Sequence, residues 1–204
     1  MINRVVSPKT TTTIKILQQP SKPDWVEMAL ANLDVILLDH SHCERKAAGV
    51  AINLMFRYPS HQKLVRQMTA IAQEELSHFE QVNQWLEKLN IPLAALNSPP
   101  YFARLKSQVR HAESDRLLDL LLVSAIIEAR SHERLGLIGE YCPNPELAKF
   151  YRSLMASEAR HYGAYWLLAL EYSDRQTVER RLAELAEYES QILSKMHHEP
   201  RLHS

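Results

Sequence analysis

The sequence predicts an all-α protein: a four-helix bundle with one long crossover, plus an additional C-terminal helix. Three observations carry that expectation. All four glycines (Gly49, Gly136, Gly139, Gly163) fall inside stretches of helical apolar periodicity, β-branched runs with turn signals between them are missing, and prolines stand at the ends of the periodic stretches.

Residues 1–22, with Thr10 to Thr13 and then Ile14 to Leu17, read as an extended tail over the surface without chemistry of its own. Pro23 suits a first helical turn, and the apolar pattern from Trp25 runs, with a break near Ala31, to Tyr58 before Pro59 stops it. Ser60 is the expected cap of a second helix to about Asn90, ended by Ile91-Pro92. Residues 91–112 form the longest connection, rich in proline, with a short helix expected around Phe102 to Arg110. A third long helix runs from about Ser114 to Tyr141. Asn144 caps a fourth, with Pro145 at its first position, that reaches about Tyr172. Ser173 with Gln176 reads as a capping box for a fifth helix to about Met196, with the apolar edge Val178, Leu182, Leu185, Tyr188, Ile192. Four core helices thus occupy 23–172 and the fifth 173–196, in one domain spanning 1–204. The short, long, short order of connections is that of a bundle with one crossover.

Formal net charge is zero over 204 residues. That excludes a protein that coats nucleic acid through its overall field and leaves only a local patch for such a contact. Cys43 and Cys142 form no C-x-x-C pair, so neither a zinc ribbon nor a rubredoxin-type iron site is available, and both are expected reduced and structural. No apolar run approaches the roughly 20 residues that cross a bilayer, and the N-terminal stretch lacks an apolar signal core. A soluble, cytoplasmic protein without membrane contact is expected.

The chemistry sits in a repeated arrangement. Glu44 is followed by Glu75-Leu76-Ser77-His78, and Glu128 by Glu158-Ala159-Arg160-His161. Residues three apart share a helix face, so each Glu and His pair can aim at one metal ion. Chance alone supplies about one Glu-x-x-His in a chain of this composition, so the weight lies in placement. Each pair continues an apolar stripe: Leu64, Met68, Ile71, then Glu75, His78, then Val82, Leu86; and Leu147, Tyr151, Leu154, then Glu158, His161, then Tyr165, Leu168. Glu44 and Glu128 interrupt similar stripes. Four carboxylates buried without compensation would forbid folding, whereas two divalent cations match their charge. Hard oxygens with one imidazole per metal suit iron or manganese. His40 and His132, one turn from Glu44 and Glu128, are candidates to support the ligands from behind. Gly163, Ala47 and Ala48 remove bulk nearby.

With these residues, the chain resembles the ferritin-like non-haem di-iron carboxylate proteins. More narrowly, it resembles the bacterial tRNA 2-methylthio-N6-isopentenyladenosine hydroxylases through Leu37-Leu38-Asp39-His40-Ser41-His42-Cys43-Glu44-Arg45-Lys46, Glu74 to Phe79, Ile127 to Arg134 and Ser157 to Tyr162. The resemblance implies two iron ions held by Glu44, Glu75, His78, Glu128, Glu158 and His161, dioxygen as co-substrate, and an oxygen-dependent monooxygenase. It would hydroxylate the isopentenyl group of the modified adenosine at position 37, in the tRNA anticodon loop. Electrons would come from an external reductase or ferredoxin-like donor, since the sequence has no flavin or nicotinamide motif. Many di-iron proteins place Asp before the Glu of Glu-x-x-His; Glu74 and Ser157 stand there instead, which leaves the outer partners of His78 and His161 open.

Two stretches carry Lys and Arg without acids and are candidate tRNA contacts: Arg57, Lys63, Arg66, and Arg104, Lys106, Arg110. Two other functions fit the same helices. A ferritin-like ferroxidase or iron-handling protein would use the ligands without nucleic acid, and a non-enzymatic bundle would bind no metal.

Overall fold

The computed structural model describes residues 16–195 and 199–204. Among them run seven helices and no strand: α1 (Pro23–Ala31), α2 (Leu33–Arg57), α3 (Gln62–Lys88), α4 (Pro100–Lys106), α5 (Glu113–Tyr141), α6 (Pro145–Tyr172) and α7 (Arg175–Ser194). α2 packs chiefly on α3 and α5 on α6. Short connections make each pair an antiparallel hairpin, and the crossover from α3 through α4 joins the two hairpins. None of these helices is long and apolar enough to cross a membrane. The expected tail lies mostly outside the described residues, as does Met196, the expected end of the fifth helix.

The helix ends explain where the expectations hold and where they shift. Asn32, at φ −134° and ψ 44°, separates α1 from α2 at the break expected near Ala31. Ser60 does not cap α3. The chain turns through Pro59 and Ser60, with the His61 amide bonded to the Tyr58 carbonyl at 3.1 Å, and His61 takes the cap position without a side-chain bond. At the other end of α3, Asn90 adopts φ 57° and the Ile91 amide reaches back to the Leu86 carbonyl at 2.8 Å. That is a Schellman closure, in which asparagine tolerates the left-handed backbone. α4 begins at Pro100, earlier than expected, because Pro99 is held extended before it. Asn144 caps α6 as read, its side chain accepting from the Glu146 and Leu147 amides. For α7 the cap is Asp174, accepting from the Thr177 amide at 3.0 Å, not Ser173, whose own amide closes α6 on Ala169.

The apolar core divides in two. One cluster gathers Leu54, Met68, Leu121 and Leu168, with Val178 and Leu185 of α7; the other gathers Leu37, Val82, Leu135 and Tyr151. The polar residues singled out above occupy the waist between them. Close approach of α5 and α6 is secured at Gly139, where an added Cβ would come within 3.2 Å of the Arg152 backbone nitrogen.

Residues 201–204 are buried although no periodicity marks them. Trp25 donates to the Arg201 carbonyl, Asp39 accepts from the Leu202 amide at 2.8 Å, and Arg134 donates to the carbonyls of Leu202 and Ser204. These bonds lay the segment against α1, α2 and α5.

A second polar anchor joins crossover, bundle and α7. The buried Asp119 carboxylate accepts from Arg110 and Arg181 at 2.8–3.1 Å. Burial pushes this carboxyl up, but the two guanidinium groups outweigh it and hold it below its ordinary value. A depressed folded value stabilises above the unfolded one and is lost as pH falls. Asp119→Asn is expected to cost about 2–4 kcal/mol at neutral pH. In urea denaturation its deficit against the unsubstituted chain should shrink below pH ~4.

Candidate metal centre

The register of α2, α3, α5 and α6 turns Glu44, Glu75, His78, Glu128, Glu158 and His161 into the waist of the bundle, none more than 7 % exposed. They form two overlapping groups. Glu44, Glu75, His78 and Glu158 offer ligand atoms within 4.8 Å of one another, and so do Glu75, Glu128, Glu158 and His161. Glu75 and Glu158 belong to both. The arrangement therefore offers two adjacent positions, each with one imidazole and one carboxylate of its own, and two carboxylates placed to bridge.

The electrostatics point the same way. Burial, reinforced by the Glu75 charge, pushes Glu128 up to about 8, and burial with Glu128 and Glu75 raises Glu158 well above the carboxylate range. Burial opposes a charged His78, yet Glu44 and Glu75 pull it up to about 10. Glu44 alone is held low, despite burial, by His40. Glu75 Oε1, Glu158 Oε1 and the Nδ1 atoms of His78 and His161 are buried without an aligned hydrogen bond among the described residues. At these ligand positions the buried imidazole and carboxylate atoms meet only one another, His161 Nδ1 lying 2.7 Å from Glu75 Oε1 and His78 Nδ1 3.5 Å from Glu75 Oε2, and two cations would satisfy them. The donor set fits two hard divalent ions.

The far nitrogen of each imidazole answers the question that the sequence left open. His78 Nε2 lies 3.2 Å from Ser157 Oγ, and His161 Nε2 lies 3.0 Å from Glu74 Oε2, which Arg160 also contacts at 2.9 Å. Both rings are thereby held with Nδ1 inward. Glu74→Gln is expected to weaken metal binding about 10- to 100-fold, with Ser157→Ala smaller, in anaerobic competition titrations. His40 Nε2 contacts Glu44 Oε1 at 2.5 Å, whereas His132 turns away to the Met155 carbonyl at 2.8 Å.

A cavity of about 550 Å³, counted to its open mouth, adjoins the waist. Glu44, Glu75, Glu128 and Glu158 form its floor, with Ala47, Val50, Ile127 and Leu202 as apolar wall, while Ser124 and Tyr165 stand beside the carboxylates. Cys43 lines this cavity too, and Cys142 is buried in the core; both are free. Gly163 faces open space. Lys46, Phe102 and His203 complete the rim. Sequence reading passed over these three, because a rim built from a helix, the crossover and the chain's end has no periodic signal. Of the six cations expected to meet nucleic acid, Arg57 pairs with Glu113, Lys63 with Glu171, and Arg110 with Asp115 and Asp119. Arg66, Arg104 and Lys106 are exposed.

The family model described as tRNA-(MS[2]IO[6]A)-hydroxylase (MiaE) matches residues 8–204. The chain belongs to this family. Among MiaE relatives, a tRNA 2-(methylsulfanyl)-N(6)-isopentenyladenosine(37) hydroxylase of Pseudomonas putida is 37% identical over 185 residues, covering 91% of this chain and 90% of the relative. A protein of the same description from Salmonella typhimurium is 28% identical, covering 94% and 88%. A solved structure of a Synechococcus protein with aldehyde deformylating oxygenase activity is 44% identical and superposes with a TM-score of 0.91, covering 94% of this chain and 96% of that one. This chain thus has the four-helix bundle expected from its helical pattern, in the ferritin-like di-iron form that the resemblance implied.

Proposed function

We propose that the protein is a non-haem di-iron monooxygenase that hydroxylates the isopentenyl group of 2-methylthio-N6-isopentenyladenosine at position 37 of tRNA. Membership in the MiaE family over residues 8–204 carries this reading. Glu44 and His78 would hold one iron, Glu128 and His161 the other, and Glu75 and Glu158 would bridge them. The bound iron pair supplies reductive activation of dioxygen for insertion into an unactivated C–H bond. Two electrons and two protons are consumed with each dioxygen, one oxygen atom going to substrate and one to water; the electrons come from a separate reductase or ferredoxin-like donor.

The chain's own groups do the positioning. Ala47, Val50, Ile127 and Leu202 form an apolar wall suited to a prenyl group and exclude water beside the carboxylates. Ser157 and Glu74 fix the two imidazoles, and His40 fixes Glu44. The proton that burial keeps on Glu128 up to about pH 8 must leave when metal enters. A cytoplasmic location follows from the substrate. The iron-handling alternative needs neither the apolar cavity nor tRNA.

One observation favours a second reading, aldehyde deformylation: the 44% identity to the Synechococcus oxygenase. Both are tested together. Iron-reconstituted protein with dioxygen and a reductant is given, in parallel, tRNA carrying the prenylated nucleoside and a medium-chain aldehyde. Mass spectrometry of digested tRNA should show one added oxygen atom on the prenylated adenosine. Alkane and formate with no hydroxylated nucleoside would support the second reading instead.

A further inference from the structure

We propose that the cavity mouth is an RNA-docking rim, in which Phe102 stacks the target adenine while Arg45, Lys46 and Lys106 hold the phosphates on either side. The inference rests on the tRNA reading above and says which surface of the chain meets the RNA.

Three independent observations converge on this place. The first is an aromatic platform. Phe102 is half-buried at the rim, set edge-on against Tyr101 at 5.4 Å between ring centres and tilted against His203 at 4.9 Å. Those two buried rings fix its plane from behind, and Arg134, Asp39 and Ser131 in turn hold the 202–204 segment that carries His203. Single-stranded RNA is read by unstacked bases laid on such aromatic side chains.

The second is charge. Lys46 lies with its ammonium over the Phe102 ring, 5.3 Å from its centre, on a face that a stacked base would take over from it, and bonds Ser98 of the crossover. Lys106 stands one turn beyond Phe102 on the same face of α4. No carboxylate pairs with Arg45, Lys46 or Lys106 among the described residues, whereas Arg57, Lys63 and Arg110 are each bound to one. The third is in the sequence: positions 45–73 and 88–112, which carry these cations, contain no Asp or Glu at all. In a chain of zero net charge the mouth thus carries Lys46 on its rim and Lys106 one turn from Phe102, neither in contact with a carboxylate, and a nucleic-acid backbone offers them phosphates. An aldehyde has no use for such a rim. A base on Phe102 would direct its N6 substituent into the cavity, toward the carboxylate floor.

The test uses full-length, iron-loaded protein and an anticodon stem-loop carrying the prenylated nucleoside. Phe102→Ala should raise KM and the binding constant for the stem-loop about 10- to 100-fold, while Phe102→Trp restores both. Lys46→Glu should raise KM about 10-fold and reduce the salt dependence of log Kd by about one unit of slope or slightly more, without changing kcat or metal content. With the free modified nucleoside as probe, Lys46→Glu should raise KM far less than it does with the stem-loop, whereas Phe102→Ala should still raise it fully. Lys149→Glu, on α6 away from the mouth, serves as the control for overall charge. Equal losses at Lys149 and Lys46, or unchanged KM in Phe102→Ala, overturn the rim while leaving the tRNA reading intact. If the unsubstituted protein does not hydroxylate the stem-loop, the reading itself falls.

Discussion

Glu158→Leu is expected to empty both metal positions, lower hydroxylation more than about 100-fold, and leave the metal-free chain at least as stable as before. The activity loss is set by position: Glu158 belongs to both ligand groups, and even partners outside the ligand set contribute 10- to 100-fold at metal sites. The stability result is the less intuitive half. Glu158 is buried, with one oxygen lacking an aligned hydrogen bond, and burial with the neighbouring Glu128 and Glu75 pushes its carboxyl well above the carboxylate range. Replacing such a group by an apolar side chain of similar size removes a desolvation cost. The expected gain is about 1–2 kcal/mol in urea denaturation of chelator-treated protein. Glu128→Leu, in one group only, should retain one ion per chain. A purely structural role for Glu158 predicts the reverse, lost stability with metal content unchanged.

Metal removal should make stability fall with rising pH. Glu128 and His78 both hold their protons more tightly in the folded chain than in the unfolded one. Their contribution is therefore complete below the unfolded values and is lost as pH rises through the folded ones. For Glu128 the window runs from about 4.3 to about 8, and for His78 from about 6.5 to about 10. Each proton is worth about 1.4 kcal/mol per pH unit inside its window, so chelator-treated protein should lose a few kcal/mol between pH 5.5 and 8.5. With metal bound the cations replace the protons, and stability should stay nearly level over that range. Below about pH 5 the two should converge, because protons compete for the ligands and displace the metal. Thermal unfolding of metal-free and metal-loaded protein at pH 5.5, 7 and 8.5 measures the difference; parallel curves would show that the cluster's charge is balanced some other way.

The bundle and the cluster were legible in the sequence because both are written in helical periodicity. A Glu at position 75 in the run Leu64, Met68, Ile71, Val82 can only be solvated by breaking the stripe, so its burial is readable without coordinates. What was not legible depends on contacts between distant segments. Glu74 supports His161, a residue 87 positions away, and Ser157 supports His78 across the bundle. Ser173 looked like a cap but closes α6, leaving Asp174 to cap α7. The wall formed by Leu202 and His203 was invisible because four short residues have no period; their place is set by Trp25, Asp39 and Arg134. For the basic residues, sequence showed charge without acids nearby in the chain, but the acids that pair with Arg57 and Lys63 lie on α5 and α6.

Two ions shared by Glu75 and Glu158 are the centre of the proposed chemistry. The measurement that reaches this most directly is anomalous diffraction at the iron edge from crystals loaded anaerobically with ferrous iron. Two peaks are expected, about 3.5–4 Å apart as in other two-metal sites, both within bonding distance of Glu75 and Glu158, one beside Glu44 and His78 and the other beside Glu128 and His161. A single peak, or iron bound elsewhere with these six side chains unmoved, would contradict it.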